Sequence, residues 1–107
     1  MTTVEIPVIF RAEKSGDFKG EVIAVFPTFP GTYDSWTFTT YMHFGQHGYG
    51  SKNWYWSTRS ATTEESAILL RELRGIYETG PDAVKLVVKR RFMRSHDEAR
   101  REALGKV

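Results

Sequence analysis

Cysteine is absent from the 107 residues. That excludes disulfides, thiolate zinc sites and a cysteine nucleophile, and it fits a reducing compartment. Long apolar runs are missing as well. The opening stretch MTTVEIPVIFRAEK has no basic n-region, and Glu5 and Pro7 break its hydrophobic run. Nothing approaches the roughly 18 apolar residues that span a bilayer. A cytoplasmic chain without membrane contact is therefore expected. The motifs of catalysis are also lacking: there is no G-x-S-x-G elbow, no GxxxxGK[ST] and no GxGxxG. His43 and His47 have H-x-x-x-H spacing but no acid between them to match HExxH. Zinc wants three or four protein ligands, so no metal, no cofactor and no catalytic residue are expected. The paired acids Glu64-Glu65 and Asp97-Glu98 fall at expected helix starts, where they complement the dipole.

What is present suits one globular domain. Hydrophobic residues make up 40% and charged residues 26%, too apolar a balance for disorder. Aromatics reach 14%, so rings must do much of the core filling. The net charge of +2 hides a split. Residues 1–84 carry seven Lys/Arg against ten Asp/Glu, and residues 85–107 carry eight against three. A mildly acidic body thus ends in a basic tail, which is either a solvated helix or a contact for a polyanion.

Val4, Ile6, Val8 and Phe10 alternate with Glu5, Pro7, Ile9 and Arg11, the period of a half-buried strand. Pro7 cannot donate to a ladder, so that strand is expected to lie at a sheet edge or to keep that position facing solvent. The polar, glycine-bearing residues 12–20 read as a hairpin loop, and residues 21–26 as its antiparallel partner, ended by Pro27, Pro30 and Gly31. Alternation resumes at Trp36 and again over residues 53–59, predicting a second hairpin with a long tip at residues 45–52. Thr62 and Glu65 have capping-box spacing ahead of an apolar stripe of Leu69, Leu70, Leu73, Ile76 and Tyr77, which Gly80 and Pro81 terminate. A strand follows over residues 84–92. Ser95 and Glu98 repeat the capping spacing and open a short, arginine-rich helix that docks weakly or frays. The expected fold is α+β in the order β-β-β-β-α-β-α. An antiparallel sheet of about five strands carries one long helix across a face. Residues 1–93 form the domain and residues 94–107 a basic C-terminal helix or tail.

The segment Tyr41–Arg59 concentrates six aromatic rings, two histidines and three glycines, with Lys52 and Arg59 its only formal charges. Strand alternation divides it. Met42, Phe44, Trp54 and Trp56 go to the core, joined by Trp36 and Phe38 beneath the helix. Tyr41, His43 and Tyr55 go to the opposite face, and His47 and Tyr49 sit on the tip. The candidate binding residues are therefore Tyr41, His43, His47, Tyr49, Lys52 and Tyr55, with Lys89, Arg91 and Arg94 as electrostatic support. Tyr, Trp, Met and Arg are enriched at interface hot spots, so a ring-bearing, glycine-rich tip predicts a protein-docking or self-association module. The alternative is a single-stranded nucleic acid held by stacking on sheet-face tyrosines beside the basic strand.

The segments IPVIFR, MHFGQHG, TTEESAILLREL and VKLVVKRRF resemble a group of small uncharacterised bacterial and phage proteins. The likeness runs to Phe92 and leaves out the basic tail. It implies no activity and no catalytic residue. It does imply a phage or mobile-element context, in which an adaptor or inhibitor of a host macromolecule is the expected kind of protein.

Overall fold

The computed structural model describes residues 4–42 and 46–105. Its elements run β1 (Glu5–Glu13), β2 (Val22–Phe26), β3 (Thr37–Met42), β4 (Gln46–Ser51), α1 (Lys52–Ser57), β5 (Thr58–Ser60), α2 (Thr63–Tyr77), β6 (Lys85–Lys89) and α3 (Arg94–Ala103). The α+β class and the mainly antiparallel sheet agree with the sequence reading. Strand order is β4-β3-β2-β1-β5, with β6 also on β1.

The first strand is central, not at an edge. β2 pairs with it antiparallel on one flank. The other flank is divided between β6, parallel to Glu5–Ile9, and β5, antiparallel to Arg11–Glu13. Pro7 is tolerated because of where its missing donor points. Val4 accepts a bond from the Lys85 N–H, so parallel alternation turns Ile6 and Val8 towards β6 and Pro7 away from it. On that other side the β1–β2 rungs begin only at Ile9. The β1–β2 hairpin closes as expected, with Gly16 and Gly20 at positive φ and the Gly20 N–H donating to Glu13 O.

Both faces of the sheet are covered. On one, α2 lies across β2 and β6 and buries Leu69 and Leu73 on Val8, Phe10, Phe26, Tyr41 and Leu86. Its capping box is formed: Thr62 Oγ1 accepts from the Glu65 N–H, and Glu65 Oε1 accepts from the Thr62 N–H. Arg59 also holds the Glu65 carboxyl, lowering its pKa to about 2. On the other face Ile9, Val25, Phe38 and Tyr55 form a second cluster with Trp54 and Phe92.

The largest departure lies in residues 46–60. Residues 46–51, expected within the tip, are the fourth strand, and residues 52–57, of which 52 was expected in the tip and 53–57 in a strand, are helical. Ser51 explains the switch: its Oγ accepts from the Trp54 N–H and caps α1. A local cap thus overrides the alternation of residues 53–57. Helical spacing then buries Lys52 and Tyr55 while Asn53 and Trp56 face solvent.

The C-terminal helix is anchored, contrary to the expected weak docking. Arg100, 1% exposed, sends Nη1 to Pro27 O at 2.6 Å and Nε to Ser35 O at 3.0 Å. Its N-cap is Met93 rather than Ser95, and the Met93 N–H donates to His96 Nδ1 at 3.0 Å.

Candidate functional site

The nine sequence-predicted residues do not form one surface. Tyr41 and Tyr55 are fully buried, on opposite faces of the sheet, and present no ring to solvent. His43 lies outside the described residues, as does Phe44 among the expected core rings. His47 and Tyr49 are both exposed on β4, Tyr49 at 66%. Lys52 is buried at the start of α1. Lys89, Arg91 and Arg94 are exposed at the end of β6 and the entry to α3. β4 and β6 are separated by β3, β2 and β1, four strand spacings or about 19 Å. The basic residues therefore cannot act as immediate support for His47 and Tyr49.

What the fold brings together at β4 is an uncharged edge. Strand β4 pairs with β3 and, among the described residues, has no strand on its other side. The Thr39 N–H donates to Phe29 O, away from β4, so Thr39↔Tyr49 is a non-hydrogen-bonded pair. The backbone groups of Tyr49 point outward for the same reason, and those of His47 follow by alternation. The strand reads QHGYGS, with neither a charge nor a proline. Edges are normally guarded by such residues. The opposite flank is guarded, with Lys85 and Lys89 on β6 and Arg59 on β5. His47 is further fixed through Nε2 to Tyr77 Oη at 2.7 Å and lies edge-on to the Tyr41 ring at 4.8 Å. Burial raises the Tyr77 pKa, keeping it a neutral partner for the imidazole.

The tryptophans also depart from expectation. Trp36 and Trp56, assigned to the core, are 49% and 63% exposed, and Trp54 is half-buried. Phe38 is in the core, but on the face away from α2. The exposed pair flanks Lys52, whose Nζ lies 5.9 Å from each indole centroid and 4.2 Å from that of Phe92. Asp97 Oδ1 takes Lys52 Nζ at 3.4 Å and also receives Arg100 Nη2. Beneath this ledge His96 is buried, its Nδ1 occupied as an acceptor. Burial, and then the Arg100 charge, lower its pKa, with Lys89 and Lys52 acting in the same sense and Asp97 opposing.

Sequence reasoning missed this cation–ring layer because no period distinguishes a buried arginine from its exposed neighbours. One signal was available: Ser51 stands three residues before Trp54, the spacing of a side-chain N-cap. Among the described residues no group of three or more His, Cys, Asp or Glu could hold a metal, and no helix is long and apolar enough to cross a membrane. Comparison with protein-family models, with curated proteins and with solved structures finds no match to this chain.

Proposed function

We propose that this protein acts by binding another polypeptide, and that β4 is the strand that receives it. The observation that carries this reading is the uncharged, proline-free edge Gln46–Ser51 with the outward backbone groups of His47 and Tyr49. Strand addition satisfies such groups through main-chain hydrogen bonds, and flanking side chains supply selectivity. The simplest occupant is a second copy of the chain. Antiparallel pairing of β4 with its own copy brings no like charges opposite one another, because the strand contains none. It also covers the exposed Tyr49 ring. The expected phage context of an adaptor suits the same mode, with a host protein strand in place of the second copy.

Sedimentation equilibrium over a concentration series tests this. A concentration-dependent dimer is expected, and Tyr49→Lys or Tyr49→Pro makes it monomeric with an unchanged circular dichroism spectrum. Both changes strike an outward-facing position, so the ladder to β3 survives. A dimer that persists in both variants removes β4 from the interface. A strictly monomeric wild type leaves only a foreign strand as occupant.

A second reading rests on the exposed run Lys89, Arg90, Arg91 and Arg94, which suits a polyanion. It now lacks Tyr41 and Tyr55 as stacking platforms. Oligonucleotide binding that falls steeply with salt would support it, and its absence at low salt would remove it.

A further inference from the structure

On the face away from α2, cover runs out towards β4. Ile23, Thr40 and Met42 floor a cup there of about 470 Å3, walled by Phe18 from the β1–β2 hairpin and by Trp54 from α1. That size is within the range of small-molecule sites, roughly 300–1,000 Å3. The cup is shallow-walled at β4 because two of its residues on this face are glycines: Gly48 opposes Thr40 and Gly50 opposes Phe38. Glycine at 50 is a packing requirement, since a Cβ would lie 2.9 Å from Trp54 Cε3. At 48 it is not. Among the described residues a Cβ there would meet Thr40 Oγ1, at the ordinary contact distance of 3.4 Å. A side chain at 48 would therefore stand beside Thr40, in the floor of the cup.

The rim carries one negative charge in a fixed place. Glu13 Oε1 accepts from Trp54 Nε1 at 2.7 Å, which orients the carboxylate. Its Oε2 has no partner among the described residues. We propose that the cup binds a small organic cation, an ammonium or guanidinium carried on an apolar or aromatic body. Glu13 Oε2 takes the cationic head in a charge-assisted hydrogen bond. The Trp54 and Phe18 rings take the body, and their faces also attract the charge. Anions are refused by Glu13, and neutral bodies lose the ionic contact. The site opens on the sheet face, so it does not depend on what pairs with the β4 edge.

The test uses the full chain and three matched probes: phenethylamine, 2-phenylethanol and 3-phenylpropionate. Indole N–H signals are followed by proton–nitrogen correlation spectra, with the Trp54 signal assigned by its loss in Trp54→Phe. Phenethylamine is expected to move that signal and to bind about tenfold more tightly than the alcohol, the size of a hydrogen bond to a charged group. The propionate leaves it unmoved. Glu13→Gln keeps an acceptor for the indole but removes the charge, so amine and alcohol bind alike. Gly48→Leu fills the cup and abolishes binding of both. An unmoved Trp54 signal, equal affinities in the wild type, or discrimination surviving in Glu13→Gln would each overturn the proposal.

Discussion

Against one face of the sheet α2 lays Leu69 and Leu73 onto Val8, Phe10 and Leu86. Against the other, α1, α3 and the segment between β6 and α3 bring Tyr55 and Phe92 together with Arg11, Lys52 and Arg100. The first contact is a helix stripe on a sheet, held by area removed from water. The second is held by cations that stack on rings and hydrogen-bond to carbonyls distant in sequence. Arg11 crosses the Tyr55 ring at 4.2 Å while bonding Thr58 Oγ1 at 2.8 Å and Thr58 O at 2.6 Å. Arg100 crosses Phe92 at 5.0 Å while bonding Pro27 and Ser35. One face should fail by forming cavities, the other by orphaning polar groups.

The largest effect is expected on the aliphatic face. Leu73 is fully buried, and Leu73→Ala should destabilise by about 3 kcal/mol in urea denaturation, from lost transfer energy plus the cavity left behind. Arg100→Leu comes next, at about 2 kcal/mol. It leaves the Pro27 and Ser35 carbonyls without their donor, while Asp97 keeps Lys52 and remains partly solvated. If Arg100→Leu were neutral, the second face would be an ordinary apolar core and the contrast would fail.

That contrast also governs what could be read from the chain. The α2 face was legible because Leu69, Leu70 and Leu73 repeat with the helix period and Thr62 and Glu65 mark its start. The strands β1 and β3 were legible through alternation, and β2 as an apolar run ended by Pro27, Pro30 and Gly31. The other face was not, since its partners are fixed by tertiary contacts. Arg100 meets carbonyls on the β2–β3 connection, and nothing local separates it from Arg101. Within the candidate site, His47 and Tyr49 were found as exposed rings. The strand that carries them was mistaken for a loop, because glycines at 48 and 50 read as a turn when they in fact keep a strand thin. Tyr55 was misplaced by the same error that made α1 a strand.

A smaller effect sharpens the comparison through pH. The folded state lowers the His96 pKa below its ordinary 6.5, so the unfolded chain binds the proton more readily. Its contribution to stability is complete above about pH 6.5 and is lost as pH falls towards the folded value. Protonation would also break the bond that Nδ1 accepts from the Met93 N–H. Urea midpoints measured from pH 7.5 down to 5.5 should therefore fall, and His96→Gln should flatten that slope. An equal slope in the variant would place the sensitivity elsewhere.

The smallest expected effect has the opposite sign. Tyr55 Oη is buried and, among the described residues, has no partner at hydrogen-bond geometry; Arg11 is its nearest polar neighbour in electrostatic terms, and the ring packs on Arg11 and edge-on against Phe92 at 4.6 Å. A hydroxyl in that state costs its desolvation with no bond in return. Tyr55→Phe keeps the ring and both ring contacts and removes only the orphaned group. It should be neutral or stabilising by up to about 1 kcal/mol, whereas conservative truncations on the α2 face all destabilise. The same variant distinguishes two roles for the ring. If the cation layer depends on the Tyr55 π-face, Arg11 keeps its place and the thermal midpoint holds or rises. A clear loss of stability would instead mean that the hydroxyl holds Arg11, and the second face would then rest on hydrogen bonds alone.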